Sequence, residues 1–355
     1  HLYVTEYYSK CCHDSSNVLR GYSLYGRCTH NGGLTKTTTD GLNTSNTVSH
    51  NQYLCTDHIV AKPEKIPNGI YALYMNNDSV NLDVAGSPSN YSAGSNVAIS
   101  TGMKNSDTWK LTNTDGYNYK LIVQNGTGSN NLCLDADDGK TSNGTNIKVY
   151  TDNGSNAQRW LFVPNFYSDG SKQAGVYTIA SKINNDASVD VYGGTFTHNQ
   201  NVQLYTANQS KAQAFKINYK IAFNSNGGTG TMNTKDYFIN IQDNLPANTF
   251  TKSTFKFAGW NTKKDGTGIS FSDKQAILNN NDPNSYIRTL YAQWVPNNYT
   301  IKYDANGGTG SMADQEFVYD KAQNLRTNTF SRTGYTFVNW NTKQNGTGNS
   351  YSKEQ

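Results

Sequence analysis

At 355 residues the chain is long enough for two or three domains of roughly 150 residues each. Its 35% hydrophobic and 16% charged residues, its 25 tyrosines and an abundance of Asn, Thr, Ser and Gly mark a β-rich, loop-rich protein. The net charge of +4 comes from 30 basic and 26 acidic side chains dispersed without runs, which argues against nucleic acid or an anionic membrane as partner. No stretch approaches the roughly 18 apolar residues that cross a bilayer, so membrane insertion of this segment is not expected.

Residues 1–63 hold Cys11, Cys12, Cys28 and Cys55 beside His13, His30, His50 and His58. The spacings fit no structural zinc pattern, and a disulfide such as Cys28 to Cys55 is the simpler reading, with zinc kept as the alternative. No fold is assigned to this stretch, which reads as a linker or the end of an upstream domain. The chain opens on His1 without a secretory leader, so it is expected to begin inside a longer protein.

Residues 64–218 hold three copies of one unit. Leu134-Asp135, Asn146-Ile147-Lys148-Val149-Tyr150 and Gln158-Arg159-Trp160 return at an offset of 55 as Val189-Asp190, Asn201-Val202-Gln203-Leu204-Tyr205 and Gln213-Ala214-Phe215. A looser copy precedes them in Leu82-Asp83, Asn96-Val97-Ala98-Ile99-Ser100 and Asp107-Thr108-Trp109. Alternating apolar residues and frequent Asn-Gly, Gly-Gly and Asp-Gly steps predict short strands and tight turns, an all-β closed or sandwich architecture.

The remainder repeats at an offset of 80. Tyr219, Ile221, Asn226, Gly227, Gly228, Trp260 and Asn261 recur as Tyr299, Ile301, Asn306, Gly307, Gly308, Trp340 and Asn341. The first copy, 219–295, closes on Leu290-Tyr291-Ala292-Gln293-Trp294. The second, 299–355, contains no counterpart of that strand, so it is expected to be truncated and marginally stable. All five Trp residues, at 109, 160, 260, 294 and 340, fall at repeat positions and are expected to anchor the cores.

The Leu-Asp step, the Asn-apolar-x-apolar-aromatic strand and the Gln-x-Trp close of residues 64–218 resemble the ricin B-type lectin repeat. That resemblance implies a β-trefoil, so the fold class expected is mainly β: a β-trefoil of three repeats followed by small β-grasp-like modules. It also implies a shallow sugar pocket on each repeat, where a carboxylate accepts from sugar hydroxyls, an aromatic ring lies under the C–H face and an amide meets a further hydroxyl. Carried onto this chain, the third repeat offers Asp190, Gln203, Tyr205 and Gln213, and the second offers Asp135, Lys148, Tyr150 and Gln158. Lys148 in the amide slot weakens the second set, though its ammonium can still donate to a hydroxyl. The first repeat keeps Asp83 but has Ala98 and Ser100 in the amide and aromatic slots, and is expected to be silent.

The tail units, with their Asn-Gly-Gly turn, Trp-Asn-Thr-Lys step and Leu-Tyr-Ala-Gln-Trp close, resemble the B-repeats of internalin-type bacterial surface proteins. That resemblance implies a spacer or adhesive stalk and a secreted or surface-attached setting. No nucleophile elbow, phosphate loop or metalloprotease motif is present. Asp135-Ala136-Asp137-Asp138-Gly139 is not a calcium loop, because its Gly falls one place early and Asn146 stands where a bidentate Glu belongs. The expectation is therefore a non-catalytic monomer without cofactor or metal, and the ricin B-type resemblance alone implies glycans of galactose or N-acetylgalactosamine type as its ligands. The alternative is a surface adhesin whose trefoil is structural.

Overall fold

The computed structural model describes residues 63–352, apart from 77–78, 103–107, 125–130, 168–171, 185–186 and 280–283. The cysteine and histidine segment at the start, with its disulfide-or-zinc question, lies outside the described residues, as does Asp107. Packing divides the described chain into two compact units. One holds the residues up to Ile221 together with Thr234–Asn244 and Ala276–Arg288; the other holds Ala222–Asn233, Leu245–Gln275 and the residues from Thr289 onward.

The first unit is built on twelve strands, four from each repeat. Repeat one supplies β1 (Gly69–Met75), β2 (Asn81–Val84), β3 (Val97–Ser100) and β4 (Thr108–Asp115). Repeat two supplies β5 (Asn118–Gln124), β6 (Leu132–Ala136), β7 (Thr145–Thr151) and β8 (Trp160–Phe166). Repeat three supplies β9 (Lys172–Ser181), β10 (Ala187–Val191), β11 (Val202–Thr206) and β12 (Phe215–Asn224). Antiparallel pairing runs β1–β4–β5–β8–β9–β12 and back to β1, a closed barrel without a free edge. The strands left over form three hairpins, β2–β3, β6–β7 and β10–β11. This is the β-trefoil that the threefold repeat implies.

The repeat tryptophans hold barrel to hairpin. Trp109 and Trp160 are fully buried, and their indole Nε1 atoms donate to the carbonyls of Leu82 and Leu134 at 3.0 and 2.9 Å. Phe215 fills the same place in the third repeat, buried but with no N–H to give. Where the hairpins meet, three half-buried asparagines close a ring. Asn96 Nδ2 donates to Asn201 Oδ1 at 2.8 Å, Asn201 Nδ2 to Asn146 Oδ1 at 3.0 Å, and Asn146 Nδ2 to Asn96 Oδ1 at 2.8 Å. Each is the first residue of its repeat's Asn-apolar-x-apolar strand pattern, which gives that pattern's Asn a physical reason.

Strand β12 does not end with the trefoil. Its second half pairs with β13 (Lys235–Phe238), Tyr219 facing Tyr237, so residues 218 and 219 are neighbours within one strand. Two-residue β14 (Asp243–Asn244) pairs with β17 (Ala276–Ile277) in the same unit. Gly175, at φ +65°, shows how tightly these pieces meet: a Cβ there would stand 2.4 Å from Ile241 Cγ1 and 2.9 Å from the Ile239 carbonyl.

In the second unit, β15 (Phe255–Asn261) pairs with the short β16 (Ser270–Phe271) on one side and with β18 (Ile287–Pro296) on the other. Trp260 is fully buried, with ring centroids of Phe223, Phe250 and Phe257 at 5.0, 6.0 and 4.9 Å. Asn261 organises the following loop: its Nδ2 donates to the Gly266 and Gly268 carbonyls and its Oδ1 accepts from the Lys263 and Gly268 amides. Asn341 repeats those contacts in the second copy. That copy forms β19 (Asn298–Ile301) with β20 (Gln315–Val318), and β21 (Trp340–Asn341) with β22 (Ser350–Tyr351). No described strand flanks 335–341 as β18 flanks 255–261, and Trp340 is only half-buried while Val338 is 78% exposed. Trp294, on β18, is likewise half-buried.

Candidate functional site

Strand pairing places the candidate carboxylates at one equivalent position of each hairpin. Asp83 faces Ala98, Asp135 faces Lys148 and Asp190 faces Gln203 directly across the two strands. Residues 148 and 150, like 203 and 205, share a strand face because they are two apart. In repeats two and three the hairpin therefore sets carboxylate, strand residue and tyrosine side by side.

In the third repeat three of the four candidates form a hydrogen-bonded group, and the fourth, Tyr205, follows Gln203 by two residues on the same strand. Gln203 Nε2 donates to Asp190 Oδ1 and Gln213 Nε2 to Asp190 Oδ2, both at 3.0 Å. Gln213 also donates to the Thr206 carbonyl at 2.9 Å, and its Oε1 accepts from the Asn208 amide at 2.8 Å, which ties the carboxylate to the loop before β12. Burial raises the Asp190 pKa, and the two amide hydrogen bonds oppose that shift. Each carboxylate oxygen retains a lone pair beyond its amide contact. Tyr205 is 39% exposed, and among the described residues no cation lies over its ring. A buried, oriented acceptor beside amides and an open aromatic face is suited to a polyhydroxylated, partly apolar ligand.

The second repeat has the same backbone and a different set of partners. Gln158 is fully buried and holds its loop through the Thr151 carbonyl and the Asn153 amide, at 3.0 and 2.9 Å. Burial raises the Asp135 pKa, opposed first by the hydrogen bond from Gln158 and then by the Lys148 charge. Lys148, however, carries its ammonium to the turn after β6. There it pairs with Asp137 and lies 3.5 Å from Asp138 Oδ1, with Nζ 5.1 Å from the Tyr150 ring centroid.

The first repeat is internally satisfied. Asp83 Oδ1 accepts from the Val84 amide at 2.7 Å and from the Tyr91 hydroxyl at 3.4 Å, and Ser100 is buried. His198 of the third repeat reaches over this hairpin, its Nδ1 3.3 Å from the Thr101 amide. Sequence repetition carried no sign of that contact, nor of Tyr192, which sits two residues after Asp190 and is 58% exposed. The offset of 55 puts Asp137 at the matching place, so no shared residue type flagged Tyr192.

Among the described residues no group of three or more His, Cys, Asp or Glu could hold a metal. Cys133 is buried as a free thiol, its pKa pushed up to about 12 by burial.

Residues 105–205 match the family model described as ricin-type beta-trefoil lectin domain-like, and residues 219–293 and 299–355 match the Listeria-Bacteroides repeat domain. Two similar proteins come from Evansella cellulosilytica. A putative Gly-rich membrane protein is 32% identical over 103 residues, covering 28% of this chain and 12% of that protein. A putative membrane protein is 31% identical over 137 residues, covering 38% of this chain and 19% of that protein. The matched segments thus span less than a fifth of either relative. Among solved structures, a designed threefold-symmetric protein, ThreeFoil, aligns at 22% identity and a TM-score of 0.36, over 42% of this chain and 98% of its own.

Proposed function

We propose that the trefoil is a carbohydrate-binding module whose principal site lies on the third repeat. Asp190 accepts from adjacent sugar hydroxyls, Gln203 supplies an amide and Tyr205 stacks under the sugar's C–H face. The observation that carries this reading is the Gln203–Asp190–Gln213 hydrogen-bonded group beside the exposed Tyr205 ring, within a segment that matches a lectin-domain family model.

Galactose and N-acetylgalactosamine are the ligands proposed, with monomeric binding and without metal or cofactor. A shallow site with two or three hydrogen bonds and one stacked ring gives about 4 to 5 kcal/mol, or roughly 0.1 to 1 mM. The chain itself is proposed to be non-catalytic, and its tail units to act as spacers on a secreted or surface-attached protein. The Listeria-Bacteroides repeat match and the membrane-protein names of two relatives support that setting.

Calorimetric titration of the chain with galactose, N-acetylgalactosamine and lactose, beside a folded Asp190→Ala variant, tests the reading. Binding that collapses in the variant supports it. No heat with these sugars and no signal on a broad glycan array would leave the trefoil as a structural module of a surface stalk.

A further inference from the structure

Resting on that lectin reading, we infer that the second repeat carries a sugar site closed by its own lysine: Lys148 acts as an intramolecular plug, and its replacement by the third repeat's glutamine opens the site. Asp135 and Asp190, Tyr150 and Tyr205, and Gln158 and Gln213 correspond at an offset of 55, and the tyrosines are similarly exposed, 41% and 39%. The backbone, the carboxylate and the platform are therefore present twice.

Three side chains make the difference. Lys148, Asp137 and Asp138 correspond to Gln203, Tyr192 and Gly193, so the third repeat has neither the cation nor the two acids that hold it. In the third repeat the strand residue turns inward and braces the carboxylate, Gln203 Nε2 to Asp190 Oδ1. In the second, the ammonium turns toward the 3-10 turn at Asp137–Gly139, pairs with Asp137 and approaches Asp138. It thereby stands over the face of Tyr150, where a sugar's C–H face would stack. The Lys148 side chain is only 15% exposed, and the ion pair is accordingly less screened than one in open solvent. A neutral sugar entering this site has to displace an ammonium already satisfied by carboxylate and ring, and it offers no charge in exchange.

The charges meet from every side of the site. Asp135 lies across the hairpin, Asp137 and Asp138 lie on the turn, and Lys140 pairs with Asp138 at 3.3 Å on the outer edge. Lys148 is the cation among these whose ammonium lies over Tyr150. The glutamine substitution removes it and restores the amide that braces the carboxylate.

The test is calorimetric stoichiometry with lactose on the full chain for wild type, Asp190→Ala, Lys148→Gln and Lys148→Gln/Asp190→Ala, each shown folded by its unfolding transition. The expected counts are one, none, two and one sites per chain, with the site in the double variant within about tenfold of the wild-type affinity. Lys148→Ala, which removes the ammonium from the Tyr150 ring without supplying an amide, is expected to bind at least threefold more weakly there than Lys148→Gln. Loss of all binding in the double variant, while wild type binds one lactose, overturns the plug and leaves the lectin reading standing. So does an Asp190→Ala chain that still binds, since the second site would then be open already. Absence of binding in all four, with a silent glycan array, overturns both readings.

Discussion

The asparagine ring makes a prediction that depends on its being closed. Asn96, Asn146 and Asn201 each donate one hydrogen bond and accept one, three bonds in all. Replacing any one by Ala removes two bonds and orphans one donor and one acceptor, a loss of about 2 kcal/mol at about 1 kcal/mol per bond. Replacing any two removes all three bonds, about 3 kcal/mol, and the third replacement then costs nothing further through hydrogen bonding. Each substitution also deletes the packing of one amide, but that loss adds and cancels from a double-mutant cycle. Every one of the three pairwise cycles should therefore show a coupling of about 1 kcal/mol, the double variant being more stable than the sum of its singles predicts. Urea unfolding of the full chain and its single and double variants measures this directly. If the bonds formed an open line instead, the two outer residues would not couple. Additive losses in any one of the three cycles would refute the closed ring.

Four further outcomes follow from the packing and the charges. Trp160→Phe leaves a ring of the kind Phe215 supplies in the third repeat but strips the bond to the buried Leu134 carbonyl, so a loss of about 1 to 3 kcal/mol is expected in urea unfolding; an unchanged midpoint would show that the carbonyl finds another donor. Gly175→Ala drives a methyl into Ile241 at a positive φ and should cost about 2 kcal/mol or more, read as a clear fall in Tm. Burial raises the pKa values of Asp135 and Asp190 above 3.8, so folding favours their protonated forms. Their stability contribution is full below that value and is lost as pH rises through the raised folded values. On the proposed reading, sugar acceptance needs the carboxylate and runs the other way: lactose affinity should fall on acidification with a midpoint above 3.8, and a midpoint at or below it would contradict the burial argument. Amides of 335–341, which lack a flanking strand among the described residues, should exchange hydrogen well before those of 255–261, and equal protection would contradict the exposed state of Val338.

How far the site could be read from sequence follows from which contacts lie inside one repeat. The offset of 55 placed Asp135 and Asp190 correctly on matching hairpins, because a repeated apolar pattern fixes strand register and register fixes which residues face each other. The tryptophans of the Gln-x-Trp step are legible as core from their repeat positions, whereas Gln158 and Gln213, offered by the resemblance as sugar contacts, are fully buried and hold their own loops, a structural duty that spacing alone does not reveal. The join between trefoil and tail was read as a boundary at 218/219 from the change of period, and two overlapping patterns on β12 cannot show that one strand serves both.

What lay beyond the sequence was where polar side chains turn once the backbone is set. His198 answers to Thr101 in another repeat, and Lys148 answers to Asp137 and Asp138 on a turn whose composition is not repeated. A lysine in an amide slot reads as a weaker donor toward the ligand as long as only its own strand is considered. With an acid pair within reach, the ammonium turns away from the slot, pairing with Asp137 and approaching Asp138, two carboxylates against the single one of Asp135. On the proposed lectin reading, backbone symmetry sets the number of candidate sites, and the unrepeated residues of each turn set how many of them are open.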